Sequence, residues 1–139
     1  MNGLIINCDG GSRGNPGPAA AAFVVGDSGK EIHSQSKFLG TTTNNVAEYS
    51  AVIMALEWLS KESGIMNQES GITFILDSEL IVRQINGVYK VKDKKLKELH
   101  AHVAQLLKKI DKKISFENVL REKNEIADEL VNIELDKLS

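Results

Sequence analysis

Two acidic residues stand where apolar strand patterns end. Asp9 follows the apolar stretch 4–7 and precedes a glycine-rich turn segment, and Asp77 follows the short apolar run 71–76. An ionised carboxylate at the end of an apolar strand costs free energy unless it is paired or solvated at a site. In open α/β sheets, such sites collect beyond the carboxyl ends of the strands. A structural alternative holds for both residues, because Asp is common in turns and as a helix N-cap.

Two further acidic residues lie on predicted helices. Glu48 shares a helical stripe with Val52, which directs it toward the core side of the helix near its start. Its alternative is a capping box, because Asn45 lies three residues before it. Asp128 lies about one turn after Asn124, and its alternative is an ordinary boundary residue of an amphipathic helix.

Taken together, the four acidic residues predict a metal site with catalytic capacity. Asp9, Glu48, Asp77 and Asp128 offer hard oxygen ligands without histidine or cysteine, which favours Mg²⁺ or Mn²⁺ over zinc. Four carboxylates can hold two ions about 4 Å apart, the arrangement used for in-line phosphoryl displacement. One ion would activate the attacking water and the other would stabilise the leaving oxygen. Without ions the carboxylates repel one another, so at least one pKa should be raised.

The elements that must position these residues change in type along the chain. Strand patterns cover residues 4–7, 19–25, 31–39, 71–76 and 113–119, with tight turns between the first three. Helical periodicity covers residues 46–60, 78–86, 96–110 and 124–138. Three strands joined by turns, followed by alternating helices and strands, predict an α/β fold with a mixed sheet.

Length and composition define the general class of protein. The chain has 139 residues, which suits one domain covering residues 1–139, and its formal net charge is −2. That charge excludes a uniformly basic nucleic-acid-coating protein. No apolar run approaches the roughly 20 residues of a membrane span, so no membrane partner is expected. The single cysteine, Cys8, favours a reducing compartment, and we expect a cytoplasmic protein without a signal peptide.

Positive charge is concentrated in one segment of the chain. Residues 83–113 contain ten basic and three acidic side chains, a net charge of +7. Within this segment, the lysines of residues 90–97, Lys92 and Lys94 among them, are candidates for binding nucleic-acid phosphates. The alternative is a solvated helix face, which accounts for most lysine runs.

Four segments, in order along the chain, carry a family resemblance. They read DGGSRGNPGPAA, TTTNNVAEYSAVIMAL, LDSELIVRQINGVYKVK and REKNEIADELVN, and they cover nearly the whole chain. The sequence resembles ribonuclease H type 1, the small nucleases that cut RNA in RNA/DNA hybrids. This resemblance implies a ribonuclease H-like fold: a five-stranded mixed sheet, an antiparallel meander followed by parallel strands, flanked by helices. It is a resemblance to the small form, with no basic protrusion between the short and long helices and no separate hybrid-binding domain.

The resemblance also implies roles for individual residues. Asp9, Glu48, Asp77 and Asp128 would be the catalytic metal ligands, holding two Mg²⁺ ions with substrate bound, with Mn²⁺ able to substitute. Asparagine amides can bind ribose 2′-hydroxyls, glycines let the backbone approach RNA, and Thr43 at a helix start suits a DNA phosphate. The substrate-binding residues implied are Gly10, Gly11, Asn15, Thr43, Asn44, Asn45 and Asn124.

One feature of the family pattern is missing from this chain. Many members carry a histidine in the loop before the last carboxylate, but residues 121–125 contain none. Arg121 and Lys123 are the charged residues that could take its place, although neither titrates near neutral pH.

The function implied is a monomeric, metal-dependent endoribonuclease that hydrolyses the RNA strand of RNA/DNA hybrids and leaves 5′-phosphate and 3′-hydroxyl ends. The alternatives are a non-catalytic hybrid-binding module and another nuclease or recombinase on the same fold.

Overall fold

The computed structural model describes residues 3–62 and 71–137. Its strands are β1 (Leu4–Ser12), β2 (Gly17–Asp27), β3 (Lys30–Thr42), β4 (Ile72–Leu76) and β5 (Ile114–Asn118). Its helices are α1 (Asn44–Lys61), α2 (Glu79–Ile85), α3 (Lys94–Lys109) and α4 (Glu125–Asp136), and a 3₁₀ turn covers Arg121–Lys123.

The strands form one mixed sheet in the order β3-β2-β1-β4-β5. β1, β2 and β3 pair antiparallel as a meander, whereas β4 pairs parallel to both β1 and β5. This is the five-stranded mixed sheet that the sequence predicts, with the antiparallel strands first and the parallel strands second.

The helices cover the two faces of the sheet unequally. Helices α1, α2 and α3 bury a large apolar core against one face. Helix α4 packs on the other face through a small cluster formed by Ala20, Ala22, Val131 and Leu135. The alanines of β2 alternate between the two faces, so Ala21 belongs to the large core while its neighbours lie under α4. Their small side chains let α4 lie close to the sheet.

The first strand is longer than the sequence pattern predicts. Asp9 was expected at the end of β1, where a glycine turn would begin, but β1 continues to Ser12 and Asp9 pairs with Ala22 of β2. The turn reading of Asp9 is therefore wrong. Glycine weakens an isolated strand, but here the pairing with β2 continues through both glycines, and only residues 13–16 form the turn.

The other predicted elements are present, with ends that shift by a few residues. The link between α2 and α3 is short, as expected for a form without an inserted protrusion. Helix α4 ends at Asp136, and residue 138, its predicted end, lies outside the described residues. Among the helices described, none combines the length and apolar character that crossing a membrane requires.

Candidate active site

The parallel pairing of β1 and β4 brings two acidic residues to the same level of the sheet. The register joins Leu4 to Ile72 and Asn7 to Ile75. Continued by two residues, it places Asp9 level with Asp77. The β1–β4 ladder ends at Asn7, so the two acidic residues lie just beyond it, where β1 still pairs with β2.

Helix α1 brings the third carboxylate to this point through a close contact with β1. A Cβ on Gly10 would lie 2.2 Å from the carbonyl carbon of Ala47, so only glycine permits this approach. The backbone N–H of Gly10 donates to Oε1 of Glu48 at 3.1 Å. Thr43, rather than Asn45, caps the helix and accepts a hydrogen bond from the N–H of Val46. The capping-box reading of Glu48 is therefore wrong.

A buried asparagine occupies the gap where the β1–β4 ladder ends. The amide nitrogen of Asn124 donates to the carbonyl of Cys8 at 2.8 Å and to Oδ2 of Asp77 at 3.4 Å. Its Oδ1 accepts a hydrogen bond from the side chain of Asn7 at 2.9 Å. Asn124 thereby joins the end of β1 to the residue that follows β4. Asp77 is not the N-cap of α2, because Ser78 takes that position.

Three of the four predicted ligands form a compact cluster. One carboxylate oxygen from each of Asp9, Glu48 and Asp77 lies within 4.8 Å of the other two. Asp9 and Glu48 are each only 5% exposed, and Asp77 is half-buried. In the described part of the chain this cluster does not include Asp128. Asp128 lies in the first turn of α4 and, with the other three, lines a cleft of about 390 Å³.

Burial makes the charged forms of these carboxylates unfavourable. Burial, with the repulsion of Asp77 and Asp128 added, raises the pKa of Asp9 to about 7. Burial and the charge of Asp9 raise the pKa of Glu48 well above its usual value. Burial also raises the pKa of Asp77, although the hydrogen bond from Asn124 and the positive charge of Arg121 oppose the increase. The expectation that at least one carboxylate has a raised pKa is confirmed.

The donor atoms of the cluster fit a divalent cation. Oε2 of Glu48 is buried and has no hydrogen-bond partner among residues 3–62 and 71–137. A buried oxygen without a partner costs roughly 1–3 kcal/mol, and more when it is charged, so a cation there would remove that cost. The three ligand atoms that the cluster offers are carboxylate oxygens, which suits Mg²⁺ or Mn²⁺.

The predicted substrate-binding residues separate into two neighbouring clefts. Gly10, Gly11 and Asn44 line the acidic cleft, and Asn45 lines both this cleft and a second one. The second cleft, also about 390 Å³, is lined by eight residues: Asn15, Thr42, Thr43, Asn45, Val46, Asp93, Lys95 and Leu96. The two clefts meet at the start of α1.

Hydrogen bonds hold the residues between the two clefts in place. Oδ1 of Asn44 accepts from the N–H of Ser12 at 2.8 Å, and the N–H of Asn44 donates to Oδ1 of Asn15 at 3.0 Å. These bonds join the β1–β2 turn to the start of α1.

Three other predicted contacts lie elsewhere in the described structure. Asn124 is 1% exposed and its amide is engaged within the protein. Lys92 and Lys94 are exposed around the start of α3, and in the described residues it is Lys95 that lines the second cleft.

Sequence reasoning missed several residues that line the acidic cleft, among them Arg13 and Asn132. Arg13 lies in the segment interpreted only as a turn. Asn132 lies four residues after Asp128, a spacing that places both on one helix face and could have identified it.

Comparison with known proteins identifies the family. A family profile described as reverse transcriptase-like matches residues 7–133. The structure of LC11-RNase H1, isolated from compost by a metagenomic approach, superposes with a TM-score of 0.92 and 48% sequence identity, and the match covers 100% of both chains. The chain belongs to the ribonuclease H1 family.

Two further comparisons place this ribonuclease H1 family member among its relatives. LC11-RNase H1 in complex with an RNA/DNA hybrid has a TM-score of 0.87 and 46% identity, covering 98% of this chain and 99% of that one. A bifunctional protein of Mycobacterium tuberculosis is 36% identical over 135 residues, which is 96% of this chain and 35% of the relative. The chain therefore spans about a third of that curated relative.

Proposed function

We propose that this chain is a metal-dependent endoribonuclease that hydrolyses the RNA strand of RNA/DNA hybrids and leaves 5′-phosphate and 3′-hydroxyl ends. The observation that carries the proposal is the cluster of the buried Asp9 and Glu48 with the half-buried Asp77, in which one carboxylate oxygen of Glu48 has no partner among the described residues. The likeness to LC11-RNase H1, a protein solved in complex with an RNA/DNA hybrid, supports the choice of substrate.

The four acidic residues would hold the metal ions. Asp9, Glu48 and Asp77 would form the buried part of the site, and Asp128 would complete it from the rim of the cleft. When bound, two divalent ions, Mg²⁺ by preference with Mn²⁺ as a substitute, would activate the attacking water and stabilise the leaving oxygen.

Neighbouring groups hold these carboxylates in position. The N–H of Gly10 binds one oxygen of Glu48, and the other oxygen is buried without a partner among the described residues. Asn124 binds Asp77 and the backbone of β1, so it orients Asp77 from within the protein. Catalysis by positioned groups depends on such preorganisation, because a misplacement of about 1 Å can reduce the rate 100-fold.

The two clefts suit the two strands of a hybrid. Around the acidic cleft, the amides of Asn44 and Asn45 can donate to and accept from ribose 2′-hydroxyls, which distinguish RNA from DNA. In the second cleft, the Thr43 hydroxyl accepts from Val46 and keeps its own hydrogen for a phosphate oxygen. Lys95 in the same cleft adds a positive charge.

The residue roles, the preference for Mg²⁺, a single domain over residues 1–139 and the monomeric state stay predictions. A cytoplasmic location also stays a prediction, based on the single cysteine.

One cleavage assay tests the proposal. Labelled RNA/DNA hybrid, duplex DNA and duplex RNA are each incubated with Mg²⁺, Mn²⁺ or EDTA. We expect cleavage of the RNA strand of the hybrid alone, with either metal and not with EDTA. The Asp9→Asn variant should bind the hybrid but not cleave it, because it lacks one metal ligand.

Other outcomes would identify the alternatives. Hybrid binding without cleavage in either metal would indicate a non-catalytic binding module. Cleavage of duplex DNA would indicate another nuclease on the same fold.

A further inference from the structure

An arginine joins the β1–β2 turn to the end of α4. The Nη2 atom of Arg13 lies 2.6 Å from Oδ1 of Asp136 and 3.5 Å from both the backbone carbonyl and the Oδ1 of Asn132. These contacts connect residues 119 and 123 positions apart in the sequence. Arg13 and Asn132 both line the acidic cleft, so this connection lies at the edge of the site.

Asn132 continues the connection to the fourth carboxylate. Its amide nitrogen donates to the backbone carbonyl of Asp128 at 3.1 Å and to Oδ2 of Asp128 at 3.4 Å. Asn132 therefore contacts both Arg13 and Asp128. Asn132 and Asp128 lie one helical turn apart, on the side of α4 that borders the cleft.

The fourth carboxylate lies on the helix with the smaller apolar contact to the sheet. Asp9, Glu48 and Asp77 lie on elements joined by strand pairing and by the large core. Asp128 lies on α4, which meets the sheet through the small cluster that includes Ala22 and Val131. Hydrogen bonds of Asn124 to β1 hold the start of this helix, and the contacts of Arg13 lie about two to three turns further along it. Apolar contact is non-directional, so it sets the distance of the helix from the sheet better than its rotation or its position along its axis. Hydrogen bonds and ion pairs have defined geometry and can set both.

We propose that Arg13 and Asn132 are positioning residues that set the placement of Asp128. The ion pair between Arg13 and Asp136 holds α4 against the β1–β2 turn, and Asn132 orients the carboxylate of Asp128 toward the other three. This inference deepens the proposed function and rests on it. The alternative is that Arg13 contacts the substrate directly, since its side chain is 44% exposed.

A double-mutant cycle separates the two readings, because Asp136 pairs with Arg13. The variants are Arg13→Ala, Asp136→Ala and the double variant, each assayed for kcat and KM on the RNA/DNA hybrid. If Arg13 acts through α4, each single variant should lower kcat about five- to tenfold with KM within about twofold, and the double variant should match the single ones. If Arg13 contacts the substrate, Arg13→Ala should raise KM while Asp136→Ala leaves KM and kcat unchanged, which would overturn the proposal.

Two variants serve as controls for the cycle. Lys137→Ala removes another ion pair at the end of α4, between the exposed Lys137 and the partly buried Glu134, and should leave kcat and KM unchanged. Arg13→Lys keeps a positive charge for Asp136 and should retain at least about half of kcat, even if Arg13→Ala fails to fold. Because exposed ion pairs contribute little to stability, Tm should fall by no more than about 4 °C in the folded variants. If the loss of kcat is proportional to the fall in Tm in all variants, Lys137→Ala included, then general destabilisation explains it. That outcome would refute the proposal that Arg13 positions Asp128.

A metal titration gives a readout that does not depend on turnover. Mn²⁺ alone is titrated calorimetrically into wild type, Asn132→Ala and Lys137→Ala. We expect Asn132→Ala to weaken Mn²⁺ binding about threefold or more and to lower kcat about tenfold, because Asp128 loses its orienting partner. Mn²⁺ affinity equal to wild type would overturn the role of Asn132. If wild type cleaves no hybrid, the proposed function fails, whereas this titration still tests the positioning of Asp128.

Discussion

The acidic cluster and the basic segment of residues 83–113 carry opposite charges, and the fold places them in opposite environments. Asp9 and Glu48 are almost fully buried, whereas Lys92 and Lys94 are exposed to solvent. A buried carboxylate costs free energy unless a partner compensates it, but an exposed lysine is solvated without one. The buried charges therefore indicate a ligand by themselves. The exposed charges are compatible with a bound ligand, but their stability does not require one.

The largest expected effect comes from removing one buried charge. Glu48→Gln keeps an acceptor for the N–H of Gly10 but loses a metal ligand, so hybrid cleavage should fall at least about 100-fold. The same variant should be more stable than wild type by about 1–3 kcal/mol at pH 8 in EDTA, because a neutral amide replaces a buried carboxyl group whose charged form is unfavourable there. Urea denaturation and a cleavage assay measure the two effects.

An exposed acid of the same helix provides the control. Glu57→Gln should change neither activity nor stability measurably, because Glu57 is exposed. Equal effects of the two substitutions would contradict the contrast between buried and exposed charges.

The pH dependence of stability without metal should be the next largest effect. The pKa of Asp9 is about 7 in the folded protein against an ordinary value of 3.8, so the folded state binds the proton more tightly than the unfolded state. The resulting stabilisation is complete below about pH 4 and is lost as the pH rises through about 7. In EDTA, the free energy of unfolding should therefore fall by about 2–4 kcal/mol from pH 4 to pH 8.

Two additions sharpen this experiment. Millimolar Mg²⁺ at pH 8 should restore stability, because the ion binds only the folded protein. Asp9→Asn should reduce the change in the free energy of unfolding between pH 4 and pH 8. If this change stays the same in the variant, groups other than Asp9 cause the pH dependence.

A smaller effect is expected at Asn124, which sequence reasoning placed among the substrate contacts. Asn124→Ala leaves the carbonyl of Cys8 and the amide of Asn7 without this partner, which should cost about 1–3 kcal/mol of stability. Because Asp77 also loses its hydrogen bond, kcat should fall about tenfold with KM nearly unchanged. Asn118→Ala, at an exposed position, is the control. A raised KM with wild-type stability would instead favour direct substrate contact by Asn124.

The smallest effect should come from the exposed lysines. A Lys92/Lys94/Lys95→Ala variant should bind the hybrid about tenfold more weakly at 0.1 M salt, with the slope of log affinity against log salt reduced by about 2. A Lys108/Lys109/Lys113→Ala variant removes the same charge from exposed positions near the other end of α3 and should leave the slope nearly unchanged. Equal slopes in the two variants would indicate a general effect of net charge rather than a phosphate contact.

Most of the fold could be predicted because periodicity reports local burial. Each predicted strand and helix is present, since alternating or helical apolar patterns reflect which face of an element meets the core. The end of β1 could not be predicted in this way. Gly10 and Gly11 read locally as a turn, whereas pairing with β2 and the close approach of α1 keep them in the strand.

The sequence by itself determined the types and order of the elements, the family resemblance and the four acidic candidates. Only the tertiary structure decided how these residues meet. The register of β1 with β4 places Asp9 beside Asp77, and the contact at Gly10 brings in Glu48. Asn124 is hydrogen-bonded to a residue more than 100 positions away in the sequence, and the contacts of Arg13 with α4 span a similar separation. Local patterns record how each residue relates to its own element, whereas contacts at such separations exist only once all the elements have packed together.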